Sequence, residues 1–269
     1  MKNKLIVTAH DFGLTHSVNL GVSYAINHPE NIFTEYSLLP NAPGSMEAAK
    51  IAREHPELSV NLCITLTNYK PISQNLKTMV DESGNLLRAN TGTWDFSCID
   101  KFNDDEIITE INAQYDWFIN NVGRKPSALV SQKNEHGDPK ILLPVVEKAK
   151  KENLPIAGPF WKWKSNYGAQ EFVKNEGVKY TSNVAICLGD WKGKLGYDLE
   201  IDLDKLIEDY LSKNGVSEFI VFCGFVDQET LNLSSLGWQR GQYLAILERK
   251  PEILRKIKDS FQLINYGEL

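Results

Sequence analysis

The stretch "KLIVTAHDFGLTHSVNLGVSYAINHP", residues 4–29, is the one from which the fold is read. It opens on an apolar run, Leu5-Ile6-Val7, that reads as a buried strand, and it turns at Gly13 into a segment with helical spacing. Thr15 stands where an N-cap hydroxyl belongs, and Pro29 lies beyond the helix end. A strand followed by a helix is the repeating unit of α/β proteins. His10 and Asp11 sit where that strand stops. In β/α folds the functional side chains gather at the C-terminal ends of the strands, so this pair is the first candidate for chemistry.

The alternation continues along the chain. "NIFTEYSLLP" (31–40) and "LSVNLCITLT" (58–67) read as strands, with the helix "GSMEAAKIAREHP" (44–56) between them and Ser45 as its expected N-cap. The clearest helix is "NDDEIITEINAQYDWFINNVGRKP" (103–126). Asn103 caps it, Glu106 is placed for a capping box, Ile107, Ile111, Tyr115 and Phe118 form its apolar stripe, and Gly123 ends it. "SALVSQ" (127–132), "KYTSNVAICLG" (179–189), "SEFIVFCGFV" (217–226) and "FQLINYG" (261–267) read as further strands. Helices are expected over 138–153, kinked at Pro144, over 202–215, and over 240–259. With no repeat and no linker-like stretch, residues 1–269 are expected to form a single TIM-like β/α barrel of roughly seven to eight units. The irregular stretch 68–103 is expected to lie over its C-terminal mouth.

Composition narrows the function classes. A net charge of −6 without a basic cluster argues against nucleic acid. No apolar stretch approaches the ~20 residues that span a membrane, and the N-terminal apolar run is too short for a secretory signal, so a cytoplasmic protein is expected. Cys63, Cys98, Cys187 and Cys223 show no paired spacing and read as reduced thiols.

Strand ends supply the candidate site. His10 is a candidate general base oriented by Asp11. Cys63, next to an imidazole, is a candidate thiolate nucleophile, although within "LCITL" a buried inert thiol is the commoner state. Glu135 and His136 offer a second acid/base pair. Trp161 and Trp163 share one face of an extended segment, as a sugar-stacking platform or as a lid. His10, Asp11 and Cys63 are also respectable zinc donors.

The order and spacing of these motifs resemble the YdjC/ChbG family of carbohydrate deacetylases, which remove acetyl groups from N-acetylated sugars such as chitobiose. The likeness rests on "AHDFG", where the family has "ADDFG", and on "LCITLTNYKPI", where it has a His-containing stretch. It rests also on "GRKPSALVSQKNEHG", where the family has "GRKPxHxDSHHxxHG", on "CGFVD…WQR", and on the terminal "NYGEL". The resemblance implies a catalytic Asp at position 10, a metal-binding Asp at 11, and metal-binding histidines at 63 and in the run that here reads Ser131-Gln132-Lys133. His10, Cys63, Gln132 and Lys133 all depart from that pattern. Phe222 replaces a family histidine, while Asp11, His136 and Arg240 match. A catalytic metal needs about three protein ligands and an open position, and the charge of Lys133 opposes a cation nearby. The expectation is therefore no metal or other cofactor, and a small polar, sugar-like, N-acylated ligand bound with Gln132, Lys133, Arg240, Trp161 and Trp163. Metal-dependent deacetylation is expected to be lost or replaced. A metal-free hydrolase, isomerase or lyase using His10, Asp11 and Cys63 remains open, as does a zinc-type site on those three. A homodimer is compatible with such a barrel; nucleic acid and membrane are not expected partners.

Overall fold

In a computed structural model, residues 2–89, 95–159, 168–187 and 199–269 are described. The strands are β1 (Lys4–Phe12), β2 (Glu35–Leu38), β3 (Val60–Ile64), β4 (Leu129–Ser131), β5 (Asn183–Cys187), β6 (Ser217–Phe222) and the short β7 (Gln262–Leu263). The helices are α1 (His16–Ile26), α2 (Ser45–Glu54), α3 (Asp104–Val122), α4 (Pro139–Glu152), α5 (Ala169–Asn175), α6 (Leu199–Leu211), α7 (Gln228–Leu233), α8 (Gln239–Arg249) and α9 (Pro251–Ser260). The strands run parallel in the order β4-β3-β2-β1-β6-β5, and β7 adds to the start of β1. β1 is central and buried on both faces from Leu5 onward, which is why it reads as a continuous apolar run.

Local signals placed several elements. Thr15 caps α1 by accepting from the Val18 amide, and Asn103 caps α3 by accepting from the Asp105 and Glu106 amides. Glu106 does not return the capping-box bond. Its carboxylate instead accepts from the amides of Lys77 and Thr78, each at 2.9 Å, and so ties the long mouth segment to α3. Gly123 ends α3 with a left-handed φ of 83°. Ser45 does not cap α2: its hydroxyl turns back to Ala42, and Gly44 takes the cap position. Ile107, Ile111, Tyr115 and Phe118 are all buried, each such burial being worth about 1.5–3 kcal/mol. α1 reaches the end of β6 through a glycine contact, since a Cβ on Gly21 would stand 2.5 Å from the Gly224 Cα.

The expected closed barrel of seven to eight units is corrected to an open, half-barrel sheet. Between the edge strands β4 and β5, the described residues contain no strand. A single residue, Ile156, bridges Leu129 on one side and Tyr180 on the other. Its amide reaches the Lys179 carbonyl at 2.9 Å, and the Ala157 amide reaches the Leu129 carbonyl at 3.1 Å. The ladder stops there because Pro155 and Pro159 carry no N–H to donate. Gly158 lets the chain pass the edge, since a Cβ there would fall 1.9 Å from the Thr181 carbonyl oxygen. Among the described residues no helix is long and apolar enough to cross a membrane.

Candidate active site

Neighbouring residues on a regular strand point to opposite faces. His10 and Asp11 escape that rule because the β1–β2 register shifts between Ala9 and Phe12, and Asp11 takes a left-handed φ of 65°. Such a bulge re-aims a side chain, and an aspartate tolerates the conformation better than most residues. The result is that His10 Nδ1 lies 3.0 Å from Asp11 Oδ1. An ionised carboxylate only accepts, so Nδ1 carries the proton in this contact. On the far side of the ring, Nε2 lies 3.8 Å from Cys63 Sγ, and the Phe222 ring packs at 5.2 Å.

Asp11 is saturated. Arg240 Nη2 donates to its Oδ2 at 2.6 Å, and Gln132 Nε2 donates to Oδ1 at 3.3 Å. Arg240 is 1% exposed and Asp11 5%, so this is a buried ion pair. Burial alone raises a carboxyl, but the Arg240 charge, with the His10 contact, holds Asp11 well below the ordinary carboxylate range. Burial opposes the imidazolium of His10, yet the charge of an ionised Cys63 and the Asp11 hydrogen bond and charge push it above its ordinary value, and of these only Asp11 acts while the thiol is neutral. Burial pushes the Cys63 thiol up, against the pull of His10. At neutral pH the thiol therefore keeps its proton, and Asp11 is the charge that sustains the imidazolium.

The remaining sequence candidates divide sharply. Glu135 is a brace: it accepts from the Leu66 amide at 2.8 Å, the Thr67 amide at 3.1 Å and the Thr67 hydroxyl. It fixes the exit of β3 and is not a cavity wall. His136 is held at both nitrogens, with Nδ1 2.6 Å from the Ser131 hydroxyl and Nε2 3.0 Å from the Ala157 carbonyl. Burial pulls it down to about 4, so it is neutral at physiological pH. The structure thus separates Glu135 from His136 in role. Lys133 reaches the Thr67 carbonyl at 3.4 Å; burial lowers its amine and Glu135 raises it. Trp161 and Trp163, with Trp191, lie outside the described residues.

These groups surround a cavity of about 140 Å³ at the C-terminal ends of the strands. His10, Asp11, Gln132, Lys133, His136 and Arg240 line it, while Glu135 and Cys63 stand behind its wall. Sequence reasoning missed Tyr69, Ser131, Asn134 and Ser234, which also line it. Tyr69 accepts from Gln132 at 3.3 Å, and Ser234 accepts from Arg240 at 2.9 Å. Ser131 and Asn134 lie inside the flagged strand-end run; Tyr69 and Ser234 come from irregular segments with no periodic signal.

With this geometry in hand, comparison with known proteins is decisive. The family model described as YdjC-like protein matches residues 4–255. The chain belongs to the YdjC-like family. A carbohydrate deacetylase of Brevibacillus brevis is 29% identical over 267 residues, covering 99% of both chains. A chitooligosaccharide deacetylase of Proteus mirabilis is 32% identical over 178 residues, 66% of this chain and 68% of its own. Among solved structures, a proposed cellobiose-phosphate cleavage protein of Enterococcus faecalis superposes with a TM-score of 0.85 at 25% identity, covering 100% of this chain and 99% of its own.

The divalent metal that the YdjC-like resemblance implies does not fit these residues. Among the described residues, no three of His, Cys, Asp and Glu converge to hold an ion. Both oxygens of Asp11 already accept hydrogen bonds, and the cation on Oδ2 is the chain's own Arg240. Gln132 turns its amide nitrogen, a donor, towards that carboxylate.

Proposed function

We propose that this YdjC-like protein binds a small, sugar-like, N-acylated ligand in the cavity beside His10 and Asp11, and that metal-dependent deacetylation has been lost from it. Membership of a family whose relatives are named carbohydrate and chitooligosaccharide deacetylases supports the ligand class. The observation that carries the loss is the donor set around Asp11: among the described residues no three of His, Cys, Asp and Glu converge there, and Gln132 turns a donor towards the carboxylate. Polar walls from Gln132, Tyr69, Asn68 and Ser131 offer hydroxyl- and amide-binding groups to the ligand.

A metal-free proton-transfer activity is the second reading, favoured by the 3.0 Å pairing of His10 with Asp11. There a water adds to the acyl carbon as the C–N bond breaks, His10, oriented by Asp11, gives its proton to the departing amine, and the water's proton returns to the imidazole. The Cys63 thiol stays protonated and does not act as nucleophile.

One assay tests both readings. Chitobiose and N-acetylglucosamine are incubated with the protein, with and without added magnesium or zinc, and free acetate is measured alongside calorimetric binding. Binding without acetate release is the expected result. Release that requires metal overturns the first reading. Release without metal that disappears in His10→Gln establishes the second.

A further inference from the structure

The cavity wall holds more unsatisfied donors than the chain can use. Arg240 donates through Nη2 to Asp11 and Ser234, but its Nε and Nη1 are buried without a partner. The Asn134 amide is buried with neither Nδ2 nor Oδ1 bonded. Leaving such a group unbonded is costly, and more so when it carries charge. Both residues line the same cavity, one from α8 and one from the turn after β4.

Lys133 and Asn134 occupy consecutive left-handed positions, with φ of 54° and 53°. That backbone is unfavourable for Lys133, though asparagine tolerates it, and such strain collects at ligand sites. Lys133 lines the cavity with only part of its surface covered, and its ammonium makes a long bond, 3.4 Å, to Thr67. Arg88 lines the rim. The acidic groups of the wall are already engaged. Asp11 serves Arg240 and His10, while Glu218 accepts from Thr8 at 2.6 Å, Tyr266 at 2.7 Å and Thr181 at 3.2 Å. Glu135, behind the wall, offsets Lys133 in part, so what the cavity lining still offers is the partly exposed Lys133 ammonium, Arg88 and the orphaned N–H groups.

We propose that the preferred ligand is a sugar acid whose carboxylate is held by Lys133 with Arg88, and whose neighbouring hydroxyl satisfies Asn134. This rests on the sugar-ligand reading above and names its charge. A carboxylate fits better than a phosphate because its one charge matches what that lining offers, whereas a second charge would sit against Asp11 and Glu218 in the same wall. The unbonded Asn134 Oδ1 asks for a donor, which a hydroxyl supplies and a carboxylate does not.

Calorimetry with glucuronate, glucose, glucose 6-phosphate and N-acetylglucosamine tests the proposal. Glucuronate and glucose share a ring and differ in one carboxylate. Glucuronate is expected to bind about ten-fold more tightly than glucose, as one charge-assisted hydrogen bond requires. The preference is expected to vanish in Lys133→Met and survive in Lys133→Arg, which keeps the charge on the same left-handed residue. Equal affinities for glucuronate and glucose, tighter binding of glucose 6-phosphate, or a preference that persists in Lys133→Met each overturns the inference while leaving the sugar reading intact. Failure of all four sugars to bind overturns the sugar reading itself, and this inference with it.

Discussion

Replacing Arg240 with methionine tests the electrostatics on which the site reading stands. Methionine keeps an unbranched chain of similar length and removes only the charge and donors. Arg240 is 1% exposed and Asp11 5%, so the substitution leaves a buried carboxylate without its main partner. Breaking a buried pair from one side costs about 3–5 kcal/mol. His10 remains at 3.0 Å as a second cation, which places the expected loss near the lower limit, about 3 kcal/mol and about 10 °C in Tm. The pH dependence gives the sharper readout. In the native protein Asp11 is held below its unfolded value, so its contribution is fully present above about pH 4 and is lost as pH falls further. In Arg240→Met burial dominates, and the folded carboxyl lies above its unfolded value. Stability then falls as pH rises through about 4 towards neutrality, by about 1.4 kcal/mol for each unit of displacement. Urea melts of both proteins from about pH 4 to about pH 8 should show the gap between them widening with pH. The double variant Asp11→Asn with Arg240→Met should recover much of the loss, because no buried charge remains. A gap that is constant across that range, or a double variant no more stable than Arg240→Met, would refute the assignment of a charged, buried pair.

Two further predictions probe the framework of the site. His136 is buried and neutral with its value pulled down to about 4, so the unfolded chain takes up its proton first as pH falls. It should cost about 3 kcal/mol of stability between about pH 6.5 and about pH 4. His136→Gln should remove that acid-side slope in urea melts, whatever it does to the plateau. Gly21→Ala would put a Cβ 2.5 Å from the Gly224 Cα. The helix-propensity gain of about 1 kcal/mol should be outweighed, leaving a net loss of about 1–3 kcal/mol by overpacking, measured as a lowered denaturation midpoint.

Most of the strand and helix order was legible because it depends on local chemistry. Thr15, Asn103 and Gly123 act on backbone groups within a few residues, and the sequence carries them as caps and stops. What was not legible depended on edges and on distant partners. The number of units overstated the sheet because α/β alternation fixes the order of elements but not closure, and closure failed at two prolines around Ile156. α5 and α7, of seven and six residues, are too short to show a helical period. Ser45 carried a capping residue's chemistry but spent it on Ala42, a choice set by how the loop before α2 folds back.

The site shows the same division at higher stakes. That His10 and Asp11 lie at a strand end could be read from the residues. That they face each other could not, because alternation along a strand predicts the opposite, and only the bulge with Asp11 at φ 65° brings them together. The partner that decides their chemistry is Arg240, 229 residues away in sequence. Once it is placed, His10 changes meaning. With Asp11 ionised and fixed by the guanidinium, the imidazole has an oriented anionic partner at Nδ1 that favours its charged form. Arg240 leaves an ordered, buried pair beneath a cavity that Lys133 also lines, so the polarity of this pocket is set by Arg240 and Lys133 as well as by the pair at the end of β1.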